Sequence, residues 1–233
     1  KINNICEKYN ITVIEDGAQS FGSKYFNRMS CNLTKIGCTS FFPTKPLGCY
    51  GDGGAIFTND NKLAETIRAI KNHGALKRFS HTHIGVNSRL DTIQAAILDI
   101  KLNNFDKCLE NRNYVANKYI NTLNNLKDII LPIIKDNYYS AWGQFSIILP
   151  KYMDRDLFVK NLKDEGINVA VFYPMVLHQQ ECFKYLDYSD DSFPISIDLS
   201  NRIINLPIYG ELSDDEIITI CNKFMIVYNK YLQ

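Results

Sequence analysis

The stretch Ser40-Phe41-Phe42-Pro43-Thr44-Lys45-Pro46-Leu47-Gly48, followed by Gly51-Asp52-Gly53-Gly54, decides how the rest of the chain is read. Pro43 and Pro46 restrict the backbone on both sides of Lys45, and the glycines beyond it permit close backbone approach or positive φ. One amine is thereby aimed. An ε-amine held in place can form a Schiff base with a carbonyl and then move protons within the adduct. Taken alone, the pattern also describes a solvated loop lysine, because prolines and glycines crowd ordinary loops.

Upstream, Ile11-Thr12-Val13-Ile14-Glu15-Asp16-Gly17-Ala18-Gln19-Ser20 reads as a short buried strand ending in an acidic residue and a turn. Ligands of α/β proteins sit at the carboxyl ends of strands, so Asp16 is placed to meet one, and strand alternation sends Glu15 to the opposite side. The other reading of Asp16 is a helix cap or turn residue. Ile2, Ile5, Cys6 and Tyr9 give a short helical stripe before this strand. Two more strands are predicted over 39–42 and 54–58, then a helix over 62–72 capped by Asp60 and stopped near Gly74.

From Leu90 the apolar series Ile93, Ile97 and Ile100 is helical and continues with breaks towards Leu123, which predicts a long bridging helix over about 89–124. The division expected is a first domain over 1–125 and a smaller α+β domain over 126–233. The second holds predicted strands at 144–149 and 168–172, a helix over about 154–165 ended by Gly166, and a last helix opened by the capping box Ser213-Asp214-Asp215-Glu216.

Hydrophobic residues make up 45% of the chain, charged residues 22%, and the formal net charge is +1, a balance that gives no electrostatic case for nucleic acid or an anionic membrane. No stretch reaches the roughly 18 apolar residues of a membrane span, and the first residues lack a signal-peptide core, so a cytoplasmic protein is expected. The 7 cysteines are odd in number and contain no Cys-x-x-Cys pair, which suggests neither a disulfide framework nor a zinc site. His81-Thr82-His83 is a weak metal signal without further clustered ligands, and no metal is expected.

With Asp16 and Lys45 each at a strand-to-loop junction, the chain resembles the pyridoxal-phosphate aminotransferases of fold type I. More closely it is similar to the nucleotide-sugar aminotransferases of the DegT/DnrJ/EryC1/StrS family. The matching residues are Glu15-Asp16-Gly17-Ala18-Gln19, the Ser40 to Gly48 stretch, Gly51 to Ala55, Gly85-Val86-Asn87-Ser88-Arg89-Leu90-Asp91, and Gln94-Ala95-Ala96-Ile97-Leu98. Ser140-Ala141-Trp142-Gly143-Gln144-Phe145, Phe172-Tyr173-Pro174, Leu177-His178-Gln179 and Leu206-Pro207-Ile208-Tyr209 also fit. The resemblance runs through the whole chain in order. It implies an α/β/α mixed sheet in an incomplete large domain, because family members are longer before the position of Lys1. The glycine-threonine turn and the ring-stacking aromatic of that preceding part have no counterpart here.

By resemblance, Lys45 would hold pyridoxal 5'-phosphate covalently and shuttle a proton, and Asp16 would pair with the pyridine nitrogen, keeping it protonated. Gln19 would bond the phenolic oxygen and Ser40 the phosphate; a loop amide and a strand-end hydroxyl are the alternatives. Asn87 is similar to a family asparagine that reaches the phosphate from the neighbouring subunit, implying a homodimer with shared sites. Arg89 would meet an acidic group of the substrate or form a structural salt bridge. His178 matches a position near the sugar-binding region, with a buried, satisfied histidine as the rival.

The reaction implied transfers an amino group from L-glutamate, released as 2-oxoglutarate, through pyridoxamine phosphate to a nucleotide-linked keto-sugar, for surface polysaccharide or glycan biosynthesis. The segments at 140–145 and 168–174 favour C3 of a UDP-2-acetamido-2-deoxy-hexuluronic acid over C4 of a 4-keto-6-deoxy sugar. Lys45 separates the aminotransferases from related dehydratases, which have histidine there. The remaining alternatives are a cofactor-binding relative without turnover and an inactive fragment acting through association.

Overall fold

The computed structural model describes residues 1–232, which form two compact units. The first comprises residues 1–109 and 134–143, the second residues 110–133 and 144–232. The boundary therefore falls at Leu109/Glu110 and not at 125/126, and a ten-residue segment returns to the first unit.

In the first unit, α1 (Ile2–Lys8) leads to β1 (Ile14–Asp16), and a small hairpin follows, β2 (Lys24–Tyr25) with β3 (Arg28–Met29). Phe26 and Asn27 both take positive φ, as a tight two-residue hairpin turn requires. The main sheet is completed by β4 (Ile36–Ser40) and β5 (Gly54–Phe57), in the order β1-β4-β5, with β1 parallel and β5 antiparallel to β4. Helix α2 (Asn61–Lys71) begins where the Asp60 side chain accepts from the Leu63 amide, and Gly74, at φ 78°, turns the chain after it. The hairpin β6 (Ala75–Lys77) with β7 (Ser80–His81) and helix α3 (Thr92–Leu102) follow, and β8 (Tyr138–Tyr139) returns to pair with β2.

Strand β1 is shorter and more exposed than the sequence suggests. It pairs on one side only, and Ile14 is 61% exposed at this sheet edge. Helix α1 likewise turns Ile2, Ile5 and Tyr9 to the surface. The predicted long helix over 89–124 is two helices, α3 and α4 (Phe105–Leu123), separated by Asn103-Asn104. Asparagine is a poor helix interior residue because its amide competes with the backbone. The break lets Phe105 and Leu109 join Leu98, Phe41, Leu47, Cys49 and Ala141 in one buried cluster.

The second unit receives the rest of α4 and adds β9 (Phe145–Ile148), α5 (Arg155–Asp164), short 3-10 turns over 177–192, α6 (Pro194–Arg202), β10 (Ile203–Leu206) and α7 (Asp214–Asn229). Strands β9 and β10 pair antiparallel, and Ile130 bridges to Ile148. Segment 168–172 makes only one bridge, Ala170 to Asn205, because the Asn205 side chain accepts from the Phe172 amide and ends the ladder. Tyr119, Phe145, Ile147, Phe158, Leu162, Ile204, Phe224 and Val227 are fully buried between sheet and helices. Among the described residues no helix is long and apolar enough to cross a membrane.

The capping box at α7 is complete: the Ser213 hydroxyl accepts from the Glu216 amide and the Glu216 carboxylate accepts from the Ser213 amide. Replacing Ser213 by alanine removes one of these bonds, and Ser213→Ala is expected to destabilise the protein by about 1 kcal/mol. A lower urea midpoint at unchanged slope is the predicted signature; an unchanged midpoint would contradict it.

Candidate functional site

The site grows from two parallel strands. Asp16 stands opposite Cys38 in the β1–β4 register, so both chains leave the sheet on the same edge, one through Asp16 and the other through Ser40. The Gly17 amide donates to the Cys38 carbonyl at 2.7 Å, and the Thr39 hydroxyl donates to the Gly17 carbonyl at 3.1 Å. These bonds carry the pairing one step past the strand and fix the turn in which Gln19 lies. Asp16 is exposed; one carboxylate oxygen accepts from the Ala18 amide at 3.0 Å, the turn role that the sequence also allowed. Glu15 points the other way, as alternation requires, and accepts from the amides of Cys31 and Leu33 at 2.7 and 3.0 Å. Burial pushes the adjacent Cys31 thiol above its ordinary value, so it packs as a neutral group.

Lys45 sits in a closed loop. The Cys49 amide and thiol both donate to the Phe41 carbonyl, at 2.8 and 3.0 Å, and the Phe41 amide donates to the Gly53 carbonyl at 2.8 Å. Leu47 and Cys49 are buried on the far side of the turn. Gly48 is required there: a Cβ would lie 2.6 and 2.7 Å from the carbonyl oxygens of Pro43 and Phe42, too close for any side chain. At the apex the Lys45 amide donates to the Phe42 carbonyl at 2.9 Å, and its half-buried side chain makes no hydrogen bond or ion pair among the described residues. The Ser40 hydroxyl accepts from the Phe42 amide at 3.2 Å and keeps its own hydrogen for another acceptor. Gly143 brings these pieces together, since a Cβ there would be 3.5 Å from the Gln19 carbonyl and 3.8 Å from Pro46 Cδ.

Asn87 and Arg89 belong to a different segment, pinned to the end of α2 by the Val86 and Ser88 amides, which donate to Ile70 and Lys71. Both are exposed, and Arg89 Nε donates to Asn87 Oδ1 at 3.0 Å. His81 and His83 spend one ring nitrogen each on the His73 carbonyl and the Thr82 hydroxyl.

In the second unit the His178 side chain is 7% exposed, and its Nε2 lies 3.0 Å from Asp190 Oδ1, which also accepts from the Gln179 amide group. The ring packs on Phe193 with centroids 4.8 Å apart. It lines a largely apolar cavity of about 770 Å³ with Phe172, Tyr173, Pro174, Phe183 and Tyr188. The bonds from His178, and secondarily from Gln179, hold the Asp190 carboxyl below its ordinary value.

Sequence reasoning gave the direction of Glu15 but not its role as an acceptor, and it missed the supporting groups Thr39 and Cys49. A strand-flanking glutamate facing away from the site was the available signal for that role. No pattern marked the other two, because their bonds are to backbone atoms of distant residues.

A mixed sheet whose parallel strands end in a carboxylate, a hydroxyl and an uncommitted amine is the layout of an α/β ligand-binding domain. The family model described as the DegT/DnrJ/EryC1/StrS aminotransferase family matches residues 1–225, and the chain belongs to that family of pyridoxal-phosphate-dependent sugar transaminases. It is 43% identical over 222 residues to the UDP-2-acetamido-2-deoxy-3-oxo-D-glucuronate aminotransferase of Pseudomonas aeruginosa, covering 94% of this chain and 59% of that protein. Among solved structures it is similar to a family aminotransferase from Brucella abortus, with a TM-score of 0.88 and 39% identity over 96% of this chain and 59% of the other. The S. venezuelae protein DesV gives a TM-score of 0.92 and 29% identity over 100% of this chain and 61% of its own. The chain thus spans about 60% of the length of these relatives.

Asp190 gives a pH prediction. A carboxyl whose folded pKa lies below its unfolded value adds stability above the unfolded value and loses it as pH falls through the folded one. Carbon NMR titration is expected to place the Asp190 midpoint below 3.8, with the 177–192 turns loosening only under acid beneath it. In Gln179→Ala the midpoint should rise towards 3.8, because one of the two donors is gone. A wild-type midpoint at or above 3.8 would contradict the arrangement.

Proposed function

We propose that this chain supplies the lysine-bearing part of an aminotransferase that uses pyridoxal phosphate to aminate C3 of a UDP-linked 2-acetamido-2-deoxy-3-keto-hexuronic acid, with L-glutamate as donor. The observation that carries the reading is the amine of Lys45, uncommitted to any described residue, on the closed loop that follows Ser40 at the end of β4, the strand paired in parallel with the one that ends at Asp16. The name of the Pseudomonas aeruginosa relative supports the substrate class, and Arg89, exposed with its terminal nitrogens outside the bond to Asn87, suits a uronate carboxylate.

The donor set fits the cofactor. Lys45 offers a primary amine to the aldehyde, Asp16 an exposed carboxylate to the ring nitrogen, Gln19 an amide to the phenolic oxygen, and Ser40 a hydroxyl hydrogen to the phosphate. Pyridoxal phosphate supplies an aldehyde carbon that exchanges amino groups and a ring that withdraws electrons from the reacting carbon. Asp16 would hold a proton on the ring nitrogen and so strengthen that withdrawal. The Lys45 amine would hold the cofactor's aldehyde carbon and would serve as the base that carries a proton at the reacting carbon.

Asn87 completes the phosphate contacts from a second copy of the chain. Exposed apolar side chains before and after it in the chain support that pairing: Ile84, Val86, Ile93 and Ile100 are 99%, 57%, 74% and 68% exposed. For His178 the resemblance supports a sugar contact; its Nε2 is committed to Asp190, which leaves the other ring nitrogen for substrate.

Adding pyridoxal phosphate to the purified chain should produce an absorbance band at roughly 410–430 nm, the range of the lysine-linked chromophore. Lys45→Ala should abolish the band and Asp16→Asn should shift or weaken it. No band in the wild type would overturn the proposal, and a band surviving in Lys45→Ala would move the linkage to another lysine.

A further inference from the structure

Helix α3 carries two polar side chains two turns apart, Gln94 and Lys101, on the face that also buries Leu98 in the core cluster against Phe41, Leu47 and Cys49. The apolar Ile93 and Ile100 face outward, so this inward polar pair is not what an amphipathic pattern would place there. Both side chains reach the strand of chain that leaves the lysine loop. Lys101 Nζ donates to the Gly48 carbonyl at 2.6 Å and lies 4.9 Å from the centre of the Tyr50 ring. Gln94 Oε1 accepts from the Tyr50 amide at 2.8 Å. Gln94 packs close against Gly51: a Cβ there would stand 3.0 Å from Gln94 Nε2, so a side chain at 51 would push on this contact.

We infer that α3 is a clamp on the exit of the lysine loop, with Gln94 and Lys101 as positioning residues that fix the Lys45 amine over the carboxyl edge of β1 and β4. The loop is already closed at its neck, where the Cys49 amide and thiol donate to the Phe41 carbonyl. Beyond the neck the Cys49 thiol lies 3.1 Å from the Gly51 carbonyl, while the Gly48 carbonyl and the Tyr50 amide take their partners from α3, a donor from Lys101 and an acceptor from Gln94. Leu98 between them keeps the helix seated, so release of either polar contact loosens the loop without unseating α3. The consequence for Lys45 rests on its reading as the cofactor lysine; the clamp itself does not.

The test uses the full chain and the variants Lys101→Met, Lys101→Arg, Gln94→Leu and Gly51→Ala. Hydrogen exchange at the amides of 45–51 is expected to rise at least tenfold in Lys101→Met, Gln94→Leu and Gly51→Ala, with β9 and α5 unchanged. Lys101→Arg, which keeps the charge and donors, should restore slow exchange. Pyridoxal phosphate titration should show at least fivefold weaker binding in the three loosened variants and near wild-type binding in Lys101→Arg. Unchanged exchange at 45–51 would overturn the clamp, and faster exchange with undiminished binding would overturn its role in positioning Lys45. If the wild type binds no pyridoxal phosphate, the cofactor reading fails, and the exchange experiment still decides the clamp. Gly51→Ala approaches the same contact from the loop, so a folding failure in either α3 variant leaves the question answerable.

Discussion

The parallel pairing of β1 with β4 is the constraint on which the site depends. It sets Asp16 beside Cys38, and the two bonds that continue past it, from Gly17 to Cys38 and from Thr39 to Gly17, lock the acidic turn to the strand that leads into Lys45. A one-residue slip would send every side chain of β1 to the other face. Glu15 would then stand where Asp16 does, and the amides of Cys31 and Leu33 would lose their acceptor. Register, turn and lysine loop are thus one structural decision.

The loop itself is held by backbone groups more than by side chains. Phe41 is the pivot, since its carbonyl takes two bonds from Cys49 and its amide one partner in Gly53, while its ring is buried. The glycine at 48 lets the turn fold back on its own carbonyls. This explains why a long, flexible side chain such as lysine can be presented without an ion pair to steady it: the backbone beneath it is what is ordered.

Much of this was legible in the sequence because the informative residues are those with few conformational options. Pro43, Pro46 and the glycines marked the loop, Asp60, Gly74 and Gly166 marked helix ends, and the Ser213–Glu216 spacing marked the last helix. The family, the mixed α/β fold and the shortness of the chain relative to its relatives were also readable from motif order. Tertiary effects account for the rest. The helical periodicity around Ile97 ran through Asn103-Asn104 because periodicity alone does not sense a change of direction, and strand-like 168–172 lost its ladder to a single asparagine side chain. Ile93 and Ile100 of α3 are exposed, so the apolar series marked a helix without marking its buried face. The His178 side chain is 7% exposed and bonded to Asp190, and it lines a cavity that no linear pattern could reveal.

The central claim is that the folded β1–β4 edge singles out one amine among the lysines of the chain. The direct measurement is to mix the wild-type chain with pyridoxal phosphate, reduce with borohydride, digest, and locate the pyridoxyl group by mass spectrometry. The account predicts that the label lies on Lys45 and that prior unfolding disperses it over many lysines. A label spread evenly in the folded protein, or concentrated on another lysine, would contradict it.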